Sequence, residues 1–250
     1  DDTALGGNGG DTINGEDGDD SLLGGEDNDT VVGGNDEDTI LGNNGNDTLR
    51  GNNGDDSILG GNGEDTILGD NGDDTILGND GNDTIGGGNA EDTIQGGNGD
   101  DSLNGGQADD TVLGNDDDDT IYGAGGNDTL QGNDGDDSVF GDGQASGGLN
   151  GNSGNDSILG GNGEDTLRGN EGDDTVQGGN DNDSIFGDDG HDTLLGQEGD
   201  DTIDGGNGRD TIQGNNGDDS IRGADGADTI LGNNGNDSID GGDEDDTILG

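Results

Sequence analysis

From Gly6 to Leu249 one nine-residue phrase, G-x-x-G-x-D-[TS]-[ILV]-x, recurs almost without interruption. Gly60–Leu68 reads GGNGEDTIL, Gly160–Arg168 reads GGNGEDTLR and Gly214–Arg222 reads GNNGDDSIR. A short, strict period constrains architecture before local propensity does, because each unit can bury its one apolar residue only against copies of itself. The same period multiplies one chemical group: an aspartate stands in the sixth slot of nearly every unit. The chain therefore reads as an array of acidic turns, and its function turns on what they hold.

Composition alone would predict disorder. The formal net charge is -60 over 250 residues, with four Lys or Arg, and 20% of residues are apolar; such chains repel themselves and bury little surface. Two regularities argue for order under some condition. Ile, Leu or Val fills the eighth slot of every regular unit, and the glycines stay in register where tight turns need them. The expectation is conditional order: unfolded until something neutralises the carboxylates, folded afterwards. Cysteine is absent, which removes disulfides and thiolate metal sites. No apolar run of about 18 residues exists to span a membrane. So acidic a surface repels phosphate backbones, which argues against nucleic-acid partners. The sequence begins at Asp1 without Met or a signal-peptide pattern, which fits a processed chain or a fragment.

In Gly51–Leu59, GNNGDDSIL, the first six residues are Gly, Asn and Asp, which tolerate positive φ and form turns. Ser57-Ile58-Leu59 reads as a short strand with its β-branched residue facing inward. Two units make a coil with a strand on each side and a glycine-rich turn at each end, and successive coils stack in parallel at about 4.8 Å. The predicted fold is all-β: a parallel β-roll, or β-solenoid, with two nonapeptides per coil. Ile13, Leu22, Val31 and Ile40 begin its two-column core. That core is too thin to hold the fold alone.

The sixth slot supplies the candidate ligands for help. It holds Asp2, Asp11, Asp20, Asp29, Asp38, Asp47, Asp56, Asp65, Asp74, Asp83, Asp92, Asp101, Asp110, Asp119, Asp128 and Asp137. After the irregular unit it continues as Asp156, Asp165, Asp174, Asp183, Asp192, Asp201, Asp210, Asp219, Asp228, Asp237 and Asp246. Stacking would bring residues such as Asp47 and Asp65 within about 5 Å, where carboxylates repel by of order 1 kcal/mol even in water. A hard divalent cation between turns reverses that sign. Ca2+ suits best, since it takes six to eight oxygen ligands in adaptable geometry, whereas Mg2+ wants a strict octahedron. Zinc and copper prefer nitrogen or sulfur. Roughly two dozen such ions would bring the charge from -60 to about -10.

At this copy number the phrase resembles the calcium-binding nonapeptide already recorded for RTX (repeats-in-toxin) proteins. The resemblance covers essentially all of the chain and implies a β-roll with calcium between turns on both edges. It also implies ions held by each sixth-slot aspartate and by turn carbonyls. Such regions stay unfolded in the low-calcium cytosol and fold outside.

Departures from the phrase carry their own expectations. The second slot is often Asn or Asp, as at Asn43, Asp70 and Asn215, which tolerate the left-handed region. The fourth-slot glycine is replaced at Asp27, Asp36, Ala90, Ala108, Asp117, Asp181 and Glu244. Ala90, Ala108 and Glu244 should distort or weaken nearby sites. Gly141–Asn150, GDGQASGGLN, has ten residues and lacks the aspartate, while Leu149 can still fill the core slot. It reads as a hinge that drops one ion or as a tolerated insertion. The domain expectation is one roll over 1–250, with this unit separating regular stretches 6–140 and 151–249.

Outward slots offer surfaces. The seventh is Thr or Ser in every regular unit, which would suit an ice-binding array but equally suits exposed strand positions. In the ninth slot one face carries Leu23, Leu41, Leu59, Leu77, Gln95 and Leu113, then turns polar or charged with Gln131, Arg168, Asp204, Arg222 and Asp240. The other gains Tyr122, Phe140, Leu159, Leu195, Leu231 and Leu249. These stripes read either as lateral contacts or as half-buried strand ends. His191 reads as solvated, Arg50, Arg168, Arg209 and Arg222 as local charge partners, and no nucleophile–base arrangement can be assembled. The functional expectation is a non-enzymatic, calcium-binding extracellular element: a surface-layer component, adhesin stalk or filament segment, associating end to end or laterally. The alternative is the repeat region of a type I-secreted toxin or hydrolase whose chemistry lies outside these residues.

Overall fold

The computed structural model describes residues 1–142 and 148–250. Residues 143–147, on which the choice between hinge and tolerated insertion rests, lie outside the described part. The described chain is all-β without a helix, a parallel β-solenoid, and it divides into two compact units, Asp1–Ala124 and Gly125–Gly250.

Within the first unit the chain alternates between two parallel sheets. Strands Thr3–Asn8, Ser21–Glu26, Thr39–Asn44 and Ser57–Asn62 pair in that order in one sheet; Thr12–Asp17, Thr30–Asn35, Thr48–Asn53 and Thr66–Asn71 pair in the other. Every pairing joins residues eighteen apart, as in Ile40↔Ile58↔Ile76. The second unit repeats the scheme, with Thr166–Glu171, Ser184–Asp189 and Thr202–Asn207 pairing on one side and Ser157–Asn162, Thr175–Asn180 and Thr193–Glu198 on the other. Among the described residues its spacing changes only at the inserted unit, where Leu130 pairs with Leu149 and Val139 with Ile158 at nineteen residues. Leu149 is fully buried, as its core slot requires.

The strands are twice the expected length. Ser57–Asn62 absorbs the first three slots of the next unit, leaving only Gly63, Glu64 and Asp65 between it and strand Thr66–Asn71. Turn-forming composition misled here, because Gly and Asn in a parallel ladder still offer backbone N–H and C=O groups to neighbouring coils. The period of two then puts slots six, eight and one all on the inner side. Ile58, Ile67, Ile76, Leu167, Val176 and Ile185 are completely buried in eighth slots. The seventh-slot residues face out, and ninth-slot Leu23, Leu41, Leu59 and Leu77 lie in register, half-buried.

Glycine serves two purposes. Positive φ is needed in slots two and four, and there the repeat accepts substitutes: Asn43 (79°), Asp70 (80°) and Asn215 (81°) in slot two, Asp27 (74°) and Ala90 (81°) in slot four. Slot two also holds Glu16, Ala124, Gln197 and Ala224 at φ 75–84°, each strained relative to glycine. Slot one is glycine throughout for a different reason, which belongs to the site.

Candidate metal centre

Inward placement of slot six buries the aspartates. Every sixth-slot aspartate from Asp20 to Asp228 is 1–4% exposed; Asp11, Asp237 and Asp246 are half-buried and Asp2 is exposed. The repeat brings them into columns, one rung per coil. In each rung the aspartate's backbone N–H donates to Oδ1 of the aspartate one coil on: Asp20 to Asp38, Asp38 to Asp56 and Asp56 to Asp74, all at 2.8 Å. The opposite turn does the same, Asp29 to Asp47 at 2.8 Å and Asp47 to Asp65 at 2.7 Å. In the second unit Asp174, Asp192 and Asp210 continue the pattern at 2.9 Å, and Asp137 reaches Asp156 over nineteen residues at 2.8 Å. Sequence reasoning anticipated carboxylates repelling each other; the structure interposes a backbone donor for one oxygen of each.

The second oxygen has no donor. Oδ2 of Asp20, Asp29, Asp38, Asp47, Asp56, Asp65, Asp74, Asp83, Asp92 and Asp101 is buried without a hydrogen-bond partner, and so is Oδ2 of Asp156, Asp174, Asp183, Asp192, Asp201, Asp210, Asp219 and Asp228. Each Oδ2 is directed at the slot-one glycine across the turn. A Cβ on Gly60 would lie 2.4 Å from Asp65 Oδ2 and 2.8 Å from the carbonyl oxygen of Gly78; on Gly51, 2.1 Å from Asp56 Oδ2 and 2.8 Å from Gly69 O. An anionic oxygen and a next-coil carbonyl thus converge on a space that any side chain would fill, which is why slot one is glycine.

A buried, half-satisfied carboxylate is costly. Burial pushes the carboxyls of Asp56, Asp65, Asp83, Asp92, Asp156, Asp183 and Asp192 up to about 7. Those of Asp74, Asp101, Asp174, Asp201 and Asp210 rise to about 6 for the same reason. The backbone bond from the preceding coil opposes the shift, and neighbouring carboxylates add to it. The columns therefore need a proton or a cation at Oδ2. Their donors are all hard oxygen, which fits calcium. Among the described residues no three acidic or histidine side chains cluster into a ready-made metal site. An ion here would meet one donorless carboxylate oxygen per turn with a slot-one carbonyl beside it.

Of the three fourth-slot replacements expected to distort the turn, Ala90 and Ala108 leave the carboxylate ladder unchanged, while beside Glu244 the bond from Asp228 to Asp246 is 3.0 Å. Ladder bonds beside Ala90 and Ala108 stay at 2.8 Å, from Asp74 to Asp92 and from Asp92 to Asp110, so the distortion expected at these two is absent from the ladder. Where slot four is aspartate, its Oδ2 accepts the N–H of the previous coil's fourth-slot glycine: Asp27 from Gly9 at 3.0 Å and Asp117 from Gly99 at 3.1 Å. That role was invisible in composition.

Elsewhere, Arg50 pairs with Asp70, Arg168 with Asp188, and Arg222 with Asp204 at 3.4 Å. Exposed His191 accepts the backbone N–H of Arg209 on Nδ1 at 2.9 Å. Phe186, absent from the expected ninth-slot column, joins it stacked 4.4 Å from the Arg168 guanidinium.

Comparison with protein families agrees with the geometry. The model described as "RTX calcium-binding nonapeptide repeat (4 copies)" matches the chain in windows that run from 1–31 to 213–248, with a gap at 147–148. No curated protein sequence matches it.

Proposed function

The chain belongs to the RTX calcium-binding nonapeptide repeat family, and on that premise we propose that it is a structural element assembled by calcium outside the cell. The observation that carries this reading is the columns of buried, donorless Oδ2 atoms. Sixth-slot aspartates from Asp2 to Asp246 would hold the ions, with slot-one carbonyls such as that of Gly78 as neighbours. Bound calcium supplies positive charge where the fold leaves anionic oxygen uncompensated, and it ties each coil to the next. About one ion per turn, roughly two dozen in all, follows from the copy number.

A fold so dependent on calcium belongs where calcium is plentiful, which favours a secreted or cell-surface location. Spacer, stalk or filament segment is the role that fits a chain made almost entirely of one repeated unit. The second reading, the repeat region of a type I-secreted toxin or hydrolase, is favoured by the family match itself, and a catalytic domain in the parent protein would decide for it. Equilibrium dialysis tests the shared claim. The chain should retain roughly two dozen calcium ions, with excess magnesium displacing few of them. Failure to retain calcium, or equal retention of magnesium, would remove the proposal.

A further inference from the structure

On the outer side of the turns the third slot carries amide ladders. Asn35 Nδ2 donates to Asp17 Oδ1 at 2.8 Å, Asn53 to Asn35 at 2.7 Å, Asn71 to Asn53 at 3.0 Å and Asn89 to Asn71 at 2.8 Å. In the second unit Asn234 donates to Asn216 at 2.7 Å and Asn216 to Glu198 at 2.6 Å. Each internal rung gives its amide hydrogen to the coil before and its oxygen to the coil after. Several rungs are followed at once by glycine: Asn53–Gly54, Asn71–Gly72 and Asn216–Gly217. Asn-Gly is the dipeptide in which backbone nitrogen reaches the preceding side-chain amide most easily, because glycine has no side chain and a wide φ range.

Here the fold ties down both reactants. Besides the rung bonds, Gly54 N–H donates to the Asn71 carbonyl at 2.9 Å, Gly72 to that of Asn89 at 3.2 Å, and Gly217 to that of Asn234 at 2.9 Å. All three glycines are held at φ 122–142°. Turning the glycine nitrogen onto the asparagine Cγ would break a ladder bond on each side.

We propose that Asn53, Asn71 and Asn216 are deamidation sites that the stacked coils protect and the unfolded chain exposes. In the open chain the glycine nitrogen bonds to the asparagine Cγ, and that nitrogen's proton leaves with the side-chain NH2 as ammonia, giving a five-membered succinimide. Water then opens either carbonyl, yielding aspartate or isoaspartate. Aspartate at such a rung can still accept from the next coil but no longer donates to the previous one, and it adds a negative charge to a chain already at -60. The fold accommodates a carboxylate there, since Asp17 and Asp80 start ladders of their own. Isoaspartate instead adds a methylene to the backbone and disturbs the register between coils. Time spent unfolded is thereby written into the chain, and part of the written population cannot restack.

The inference rests on the calcium reading only for the state of the chelated chain, so three samples are aged in mildly alkaline buffer: calcium-loaded, chelated, and unfolded in urea. Peptide mass spectrometry follows deamidation at the three asparagines, and circular dichroism follows folding. The urea and chelated samples should deamidate at least about tenfold faster than the calcium-loaded one, because reaction in the stack must wait for local opening. Refolding amplitude on adding calcium should fall as isoaspartate accumulates. Equal rates in urea and in a calcium-loaded sample with intact β signal would overturn the proposal. A chelated sample that keeps both its β signal and its amides, while urea loses them, would leave the protection standing and remove the calcium reading.

Discussion

At the scale of the residue, the invariant glycine and the buried aspartate explain each other. Gly60 is fixed by what faces it, since Asp65 Oδ2 and Gly78 O occupy the space of a methyl group. Gly60→Ala should therefore cost about 1–3 kcal/mol, the range for overpacking a filled site. A Cβ on Gly61 in slot two would also be tight, 2.1 Å from Asn43 O at φ 122°, but Asn43 and Asn79 hold this slot in the adjacent coils at φ 79° and 82°, so Gly61→Asn can rotate to their conformation and should cost less. Urea unfolding in saturating calcium compares the two; equal costs would contradict the assignment of slot one. The aspartates also set a pH dependence. Burial pushes the carboxyls of Asp56, Asp65, Asp74 and Asp83 up to about 6 to 7, above the ordinary value of 3.8, so the metal-free fold binds more protons than the unfolded chain across that interval. Metal-free stability must then fall as pH rises from about 4 through 7. In chelator the chain should gain β signal on acidification and lose it on return to neutrality. A metal-free signal that strengthens with rising pH would have the wrong sign.

For the element, the useful comparison is between what the period disclosed and what it hid. Alternation placed Ile58 and its counterparts in the core and Thr or Ser outside, and both positions are found. Extending the same alternation through the glycines would have placed Asp65 and Gly60 inside as well. Composition hid this, because charge and glycine signal surface and turn, and here they stand inside and in strand. The bond made by fourth-slot aspartates was hidden because composition does not say which atom of the adjacent coil a side chain meets, whereas Phe186 was legible from the same eighteen-residue spacing that lines up Leu41 and Leu59. Since each strand contacts only its neighbours in the stack, a core defect should act locally. Ile58→Ala should cost about 2–5 kcal/mol. Hydrogen exchange should show the loss centred on strands Thr39–Asn44, Ser57–Asn62 and Thr75–Asp80, and a uniform loss across the chain would contradict a nearest-neighbour array.

For the molecule as a whole, repetition makes a small energetic problem large. One buried carboxylate with a donorless oxygen is tolerable in many proteins; two columns of them in each unit are not, under a net charge of -60. The same repetition lines up Leu23, Leu41, Leu59 and Leu77 on one face of the first unit, half-buried and in register. If this stripe mediates lateral association, replacing Leu41, Leu59 and Leu77 with serine should abolish it in small-angle scattering while the β signal survives. Unchanged association would assign the stripe to strand packing. The claim beneath all of this is that calcium compensates the buried columns, and circular dichroism through a calcium titration at neutral pH tests it most directly. A chain that is unfolded in EDTA, becomes β-rich over the titration, and unfolds again when EDTA is restored is the predicted result. A full β signal that EDTA leaves untouched would contradict it.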